Sequence, residues 1–222
     1  MDLQALGLTV RLAALTTVLL LVLATPLALW LAARDTWLRR LVSAVTLLPL
    51  VLPPTVLGFY LLEGLGPQTT LGRTLTHLLG HTLAFTFAGL LVGSLIYSLP
   101  FAVQPLTAAF SDVDPNLRDL ARVLGASPFQ VAHRITLPLA RRAFFIAGLL
   151  TFCHTVGEFG VVLMLGGDIP GSTRTLSISL FDQVQEANYP AATHTALGLI
   201  ALSFVILLVL QTRRRTNGIL LD

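Results

Sequence analysis

Long apolar stretches alternate with short polar connections along this chain, and they indicate helices that cross a membrane. A bilayer core about 30 Å thick needs about 20 apolar residues at 1.5 Å per residue. Five stretches reach or approach that length, and the spans are placed at about 8–33, 41–62, 83–105, 143–165 and 194–211. The pattern predicts an all-α fold, a polytopic transmembrane helix bundle of about five spans, with residues 1–222 forming a single domain.

The connection between the third and fourth spans, about residues 111–142, has the pattern of two short helices joined by a tight turn. The first helix is predicted over about Pro115–Leu124, because Gly125 can take a left-handed C-terminal cap. The second starts with the capping-box pattern Ser127-Pro128-Phe129-Gln130. It is expected to end at or before the residue that precedes Pro138, because proline disfavours a helical residue ahead of it.

Composition excludes a single soluble core. The 222 residues are 55% hydrophobic and 11% charged, with a mean hydropathy of +0.82. All 14 basic residues are arginines, and most follow the first, third and fifth spans. These connections are therefore expected in the cytoplasm, with the N-terminus outside and the C-terminus inside. This topology accounts for the basic character, so no nucleic acid partner is expected.

The outer connections, 63–82 and 166–193, hold only one arginine each. Within the second, the mildly amphipathic segment 173–184 is predicted to be a short interfacial or re-entrant helix and not a sixth crossing.

Signals for chemistry within the chain are weak. A Gly-x-x-x-x-Gly-Lys-Ser/Thr phosphate loop is absent from the sequence, so ATP and magnesium are expected on another chain. His77 and His81 have helical spacing but lack companion ligands in the sequence, and the lone Cys153 lies within a span. The chain is expected to have no catalytic residues, no metal site and no cofactor of its own.

Three prolines interrupt the second span. Pro49, Pro53 and Pro54 leave backbone carbonyls that hydrocarbon cannot satisfy, so this helix must face protein or water. The favoured interpretation is a bent helix that lines a path through the membrane, where Thr55 offers a hydroxyl. A simple kink filled by neighbouring helices is the alternative.

The connection at 111–142 carries a longer spacing pattern: Asp119-Leu120-Ala121, three residues, Gly125, nine residues, then Ile135-Thr136-Leu137-Pro138. It resembles the EAA signature of ABC-transporter importer permeases, with Asp in place of Glu and Leu in place of the first Ala. The resemblance implies a coupling helix that seats in a cytoplasmic ATPase. The apolar side chains of Phe129, Val131, Ile135 and Leu137 are expected to occupy a groove of that partner, whereas the alternative is an ordinary solvated connector. The residues implied in coupling are Asp119, Ala121, Gly125, Ser127, Pro128, Phe129, Gln130, Ile135, Leu137 and Pro138.

Two further segments are similar to the molybdate-type permease subunits: Leu-Pro-Leu-Val-Leu-Pro-Pro at 48–54, and Gly-Glu-Phe-Gly at 157–160 followed by Ile-Pro-Gly-Ser-Thr-Arg-Thr at 169–175. The resemblance implies a type I ABC importer fold and import of an oxyanion, most simply molybdate, with tungstate and sulfate permeases as near relatives. It also implies a homodimer in the lipid of the bacterial inner membrane, two cytoplasmic ABC ATPase subunits, and an extracytoplasmic oxyanion-binding protein. The residues implied in the translocation path are Pro49, Pro53, Pro54, Thr55, Gly157, Glu158, Phe159 and Gly160.

Glu158 lies well inside a span, where ionisable side chains are costly and usually functional. Because a carboxylate repels an oxyanion, a structural role is favoured for Glu158. In that role Glu158 is held by His154, which lies one turn earlier, by an arginine or by backbone donors. A protonated Glu158 that donates to the anion stays open. A proton-coupled secondary transporter with Glu158 and His154 as a relay is an alternative of a different class, and a non-transporting scaffold is a third.

Overall fold

The computed structural model describes the backbone of residues 2–215 and the side chains of residues 2–208. The side chains of Arg213 to Arg215, on which the cytoplasmic C-terminus was predicted, lie outside this description. The described part forms helices joined by short connections. These are α1 (Leu3–Ala32), α2 (Trp37–Val51), α3 (Pro54–Leu65), α4 (Thr70–Leu79), α5 (Phe87–Ser111), α6 (Pro115–Val123), α7 (Pro128–Val131), α8 (Leu137–Leu139), α9 (Arg141–Gly157), α10 (Gly160–Gly166), α11 (Leu176–Gln185) and α12 (Tyr189–Arg215).

Three of these helices are individually long and apolar enough to cross a membrane: α1, α5 and the Tyr189–Leu208 part of α12. The count rises to as many as five if each of two bent helix pairs is taken as one span. The upper count equals the predicted number of spans, but one of the two bent pairs joins Pro128–Leu139 to Arg141–Gly157 and so does not coincide with the predicted span 143–165.

The second predicted span, 41–62, is two helices at 110° to one another. Helix α2 ends at Val51, Leu52 and Pro53 are extended, and α3 begins at Pro54. The predicted bend is therefore a complete break, because adjacent prolines cannot both continue a helical hydrogen-bond ladder.

The fourth predicted span, 143–165, is also interrupted. Helix α9 ends at Gly157, Glu158 is extended with φ −68° and ψ 133°, and α10 begins at Gly160. No proline causes this break, and the sequence pattern of the span did not predict it.

The bundle is held together by close packing of α1, α5 and α9 around a cluster of small and medium side chains, which includes Ala24, Ala28, Ala102 and Ala147. Small residues allow membrane helices to approach closely, where hydrocarbon offers no hydrophobic drive for association. The outward faces of α1 and α12 carry exposed apolar side chains, such as Val22 on α1, as expected for contact with lipid.

Helix α11 covers most of the predicted segment 173–184 and confirms that it is helical. The Thr175 hydroxyl caps its start, and the Leu176 amide donates to the Thr9 hydroxyl of α1 at 2.9 Å. Before α11, the Arg174 guanidinium forms an ion pair with Asp168 and lies 3.6 Å from an oxygen of Asp182. Arg174 holds the pKa of Asp168 below its usual range. Burial, with the neighbouring Asp168, raises the pKa of Asp182 to about 6.

Candidate functional site

A cavity of about 480 Å³ lies between α3, α5 and the break between α9 and α10. Six of the eight predicted path residues line it, together with three that were not in that set. The lining consists of Pro54, Thr55, Tyr97, Cys153, His154, Gly157, Glu158, Phe159 and Gly160. The other two predicted path residues are elsewhere: Pro49 is buried within α2, and Pro53 precedes α3 without lining the cavity.

Glycines bring the two walls of this cavity together. A Cβ placed on Gly160 would lie 2.6 Å from the Cβ of Pro54, and one on Gly58 would lie 2.8 Å from the Cβ of Met164. Helix α3 therefore packs on α10 at two points one turn apart. This contact places the start of α3, with the Thr55 hydroxyl, beside the break that follows Gly157.

Glu158 joins this break to two other helices. Its side chain is 4% exposed, and its Oε2 accepts a hydrogen bond from the Ser94 hydroxyl of α5 at 3.0 Å. Its backbone carbonyl accepts one from the Ser177 hydroxyl of α11 at 2.5 Å. Within residues 2–208, Oε1 of Glu158 has no hydrogen-bond partner. The partners of Glu158 are thus two serine hydroxyls, and not the expected His154, arginine or backbone donors; its structural role stays a prediction.

His154 has a different partner from the one considered. Its Nδ1 lies 2.9 Å from the Ser98 hydroxyl of α5, and its ring stacks on Phe101 with 4.0 Å between centroids. The Tyr97 ring lies on it at 4.7 Å. His154 and Glu158 line the same cavity one turn apart, but each is held by its own serine on α5.

The cavity lining offers hydroxyl, imidazole and carboxyl groups and contains no arginine. The hydroxyl groups suit brief contact with an anion, because a permeating ion must bind weakly enough to leave again, whereas an ionised carboxylate would repel it.

The predicted turn chemistry of the connection at 111–142 is confirmed. Gly125 has φ +87°, and the Ala126 amide donates to the Ala121 carbonyl at 2.9 Å, as in a Schellman cap. Ser127 and Gln130 form both hydrogen bonds of a capping box, at 2.8 and 3.2 Å. The first helix, Pro115–Val123, ends within one residue of its predicted end.

The predicted end of the second helix was wrong. The helical path continues through a π-helical turn at Ala132–Thr136 and on to Leu139. In this wider turn the Leu137 amide donates to the Ala132 carbonyl, and Pro138 falls in the first turn of the segment that follows. Proline is tolerated in a first turn, where its missing N–H would have no intrahelical partner.

The exposed apolar surface of this connection differs from the predicted one. Phe129 is 77% exposed and stacks on His133, but Val131 is buried and Leu137 packs against the core of the bundle. Helix α6 has no buried residue, and its Val123 and the following Leu124 are 84% and 79% exposed. The surface available to a partner is thus α6 with Phe129.

A shallow cavity of about 420 Å³ lies between the two helices of this connection and is lined in part by Ala121, Gly125, Gln130 and Ile135. Asp119, which replaces the usual Glu, forms an exposed ion pair with Arg122 at 2.9 Å. Exposed pairs of this kind contribute little stability, so Asp119 is available to another partner.

Known proteins share both the sequence and the fold. The family described as "Binding-protein-dependent transport system inner membrane component" matches residues 24–215. The molybdenum transport system permease protein ModB of Azotobacter vinelandii is 51% identical over 96% of this chain and 95% of its own length. ModB of Escherichia coli K12 is 33% identical over 85% of this chain and 83% of its own. The crystal structure of a bacterial ABC transporter that imports alginate superposes with a TM-score of 0.78 at 20% identity, over 98% of this chain and 81% of that one.

The fold is therefore that of an ABC importer permease, a membrane-embedded transport subunit. The chain belongs to the family of binding-protein-dependent transport system inner membrane components. It is an integral protein of the inner membrane, and the resemblance drawn from the EAA spacing is confirmed.

Two serines of α5 were not among the residues predicted from the sequence. Ser94 and Ser98 are both buried and contact Glu158 and His154, respectively. Their signal was two hydroxyls at helical i, i+4 spacing within an apolar span, which indicates one polar face directed at a neighbouring helix.

Proposed function

We propose that this chain is the permease subunit of an ATP-driven molybdate importer. The observation that carries the substrate is the 51% identity to a molybdenum transport permease, which extends over nearly the whole of both chains. Tungstate and sulfate, which are tetrahedral oxyanions of similar shape, are the alternative substrates. Family membership favours this proposal over a proton-coupled secondary transporter.

In this proposal the cavity at the two helix breaks is part of the translocation path. Thr55 on α3 and the backbone at Gly157 to Gly160 face it, and Glu158 holds the wall in place through Ser94. Irregular backbone at membrane depth is tolerated only where it is buried in protein or lines water. Two breaks beside one cavity meet that condition together.

The connection at 111–142 is proposed to dock on a cytoplasmic ATPase through α6 and Phe129. This surface has four strongly exposed apolar side chains, at Leu120, Val123, Leu124 and Phe129. Helix α6 adds arginines to it. A groove on a partner would remove those side chains from water, at about 25 cal/mol per Å² of apolar area. The capped turn at Gly125 would fix the angle between the two helices that enter the groove.

The proposed assembly contains two copies of this chain, two ATPase subunits and an extracytoplasmic binding protein. ATP and magnesium would bind to the ATPase subunits. The arginine-rich connections support an orientation with the N-terminus outside and the connection at 111–142 in the cytoplasm. The alginate transporter of similar fold has been crystallised with its periplasmic protein, which supports a delivering partner of that kind.

Reconstituted transport tests the substrate and the energy source. Proteoliposomes are prepared with the permease, its ATPase and its binding protein. Radioactive molybdate should cross the membrane only when ATP is supplied on the side where the ATPase lies and vanadate is absent. Unlabelled tungstate and sulfate as competitors then rank the oxyanions. Uptake that persists without the ATPase and collapses with an uncoupler would support the proton-coupled alternative and contradict the proposal.

Substitutions at Gly125 test the docking loop. At φ +87° a β-branched residue is strained by about 1–2 kcal/mol, whereas Asn adopts this conformation more readily. No atom lies within 4 Å of a Cβ added there, so the effect is confined to the backbone. Gly125→Val should therefore lose ATPase subunits on purification while Gly125→Asn retains them. Full ATPase stoichiometry in Gly125→Val would show that the turn does not set docking.

A further inference from the structure

A second cavity, of about 460 Å³, opens where α1 ends, α2 begins and α5 ends. It is separate from the cavity at the helix breaks and has no part in the proposed path. Its polar lining is dominated by cations, with hydroxyls between them. The side chains that matter here are Arg34, Asp35, Arg39, Arg40, Ser43 and Thr107.

The charges of this cavity do not cancel. Arg40 pairs with Asp35 through two hydrogen bonds of 2.7 and 2.5 Å, which hold the pKa of that carboxyl below its usual range. Within the described residues, neither Arg34 nor Arg39 has a carboxylate within 4 Å. Two arginines without acidic partners therefore face one cavity.

Arg39 is held in position before any ligand arrives. Its Nη1 donates to the Arg34 carbonyl at 3.1 Å, and its guanidinium lies 5.0 Å from the centre of the Trp30 ring. A pre-positioned guanidinium loses little side-chain freedom when it binds an oxyanion, and its planar fork matches two oxygens of a phosphate.

Thr107 supplies a second, independent sign of a ligand. It lines the cavity from α5, and its Oγ1 is buried without a hydrogen-bond partner in the described part of the chain. Buried hydroxyls are almost always satisfied by protein or by a bound molecule. Rotation of the Thr107 side chain towards the cavity would let this hydroxyl donate to an acceptor oxygen there.

The residues around the cavity indicate which kind of molecule carries the acceptor oxygen. Trp30 and the 75% exposed Trp37 lie at the adjoining ends of α1 and α2, where tryptophans mark the membrane–water interface. Next to the cavity, Leu38, Leu41 and Val45 form an exposed apolar face on α2. A cationic cavity beside an apolar helix face at the bilayer edge fits a molecule with a phosphate head and acyl chains.

We infer that this cavity binds the phosphate headgroup of an anionic membrane lipid, with Arg34 and Arg39 on the phosphate and Thr107 donating to it. The acyl chains lie along the Leu38–Val45 face of α2. This site is distinct from the transport path and does not depend on which oxyanion is imported.

Lipid titration of the complete transporter tests the site. The permease with its ATPase, in a neutral detergent, is titrated with dioctanoyl phosphatidylglycerol, and bound lipid is counted by native mass spectrometry. Arg34→Gln with Arg39→Gln should raise the Kd about thirtyfold, at about fivefold for each arginine near the surface. Thr107→Val should raise it about fivefold, the net effect of one hydrogen bond.

Arg141→Gln with Arg142→Gln is the matched control, because it also removes two exposed arginines near the start of a bundle helix, outside the cavity. It should change the Kd less than twofold. An equal loss in both double variants would mean diffuse surface charge, and an unchanged Kd in the cavity variant would place the lipid elsewhere. Either result overturns the inference. Thermal unfolding of each variant, measured beside the titration, separates loss of lipid from loss of fold, and Thr107→Val gives a second test if the arginine variant unfolds.

Three further ligands separate the sources of the anion. Dioctanoyl phosphatidylcholine, with the same chains and no net charge, should bind at least tenfold more weakly than phosphatidylglycerol. Glycerol phosphate and molybdate, without chains, should not displace the lipid at equal concentration. Displacement by either would make this a site for a free oxyanion, and a wild-type transporter without saturable lipid binding would mean that another occupant, such as the second copy, fills the cavity. Both outcomes overturn the lipid site.

Discussion

The approach of Gly160 to Pro54 is the contact on which the shape of the proposed path depends most directly, and Gly160→Ala perturbs it alone. The added Cβ would lie 2.6 Å from the Pro54 Cβ and 3.4 Å from the Pro54 carbonyl carbon. The proline ring is rigid and cannot rotate away. Helix α3 would therefore have to move, although Gly58 holds it against Met164 one turn later.

The cost follows from two opposing effects. Inserting a methyl group into a tightly packed contact costs about 1–3 kcal/mol. Replacing glycine by alanine in a helix returns up to about 1 kcal/mol. A net loss of about 1–2 kcal/mol is expected, and for a chain of 222 residues this corresponds to a fall in Tm of about 2–8 °C.

Gly157→Ala is the matched control, three residues earlier on the same cavity. No atom lies within 4 Å of a Cβ added at Gly157, so its Tm should not fall. The new methyl group would project into the cavity, where it should slow oxyanion uptake. The two variants thus distinguish the effect of α3–α10 packing on stability from the effect of free cavity volume on transport.

Both variants can be followed by heating the purified transporter and measuring the fraction that remains monodisperse on size-exclusion chromatography, with uptake measured in proteoliposomes. If Gly160→Ala keeps the wild-type Tm, or if Gly157→Ala loses as much stability, the close α3–α10 packing is not what holds this wall. If Gly157→Ala transports at the wild-type rate, the cavity is not on the path.

Two more predictions concern carboxyl groups. Glu158→Gln keeps an oxygen that accepts from Ser94 and should retain most uptake; complete inactivation with normal assembly would mean that Glu158 handles charge or protons. The pKa of Asp182 is raised to about 6 from 3.8, so between these pH values the folded protein binds a proton more tightly than the unfolded protein. The folded protein therefore loses stability as the pH rises from about 4 to about 6 and Asp182 ionises. Asp182→Asn should therefore unfold at a higher temperature than wild type above pH 6, by about 1 kcal/mol or less, with the gap closing near pH 4. Thermal unfolding across this range checks it, and a gap independent of pH would contradict it.

Local backbone chemistry was the most predictable part of this fold. The capping box at Ser127 and the left-handed cap at Gly125 depend on residues within one helical turn, and both were confirmed. The break before Pro54 was likewise foreseen as a bend, since proline acts on its own backbone. In these cases the determining atoms are neighbours in the sequence.

Features that depend on distant partners were not predictable in the same way. Val131 was expected to be exposed and is buried, because it lies between the two short helices of the connection, beside the cavity that they enclose. Ser94 is 64 positions from Glu158 in the chain, so only the packing of α5 on α9 reveals their hydrogen bond. A single sequence carries no record of which helices pack together.

The helix break after Gly157 and the connection at 111–142 are joined by one element, α9. Its 17 residues form a helix about 25 Å long, which starts at Arg141 and ends at Gly157, beside the cavity at the helix breaks. The connection meets it at 70°, and Glu158 at its far end is hydrogen-bonded to α5 and α11. A displacement of the connection is therefore expected to move the cavity wall through α9. The extended backbone at Glu158, whose side chain has one hydrogen bond, from Ser94, would allow that wall to shift while α10 stays packed on α3.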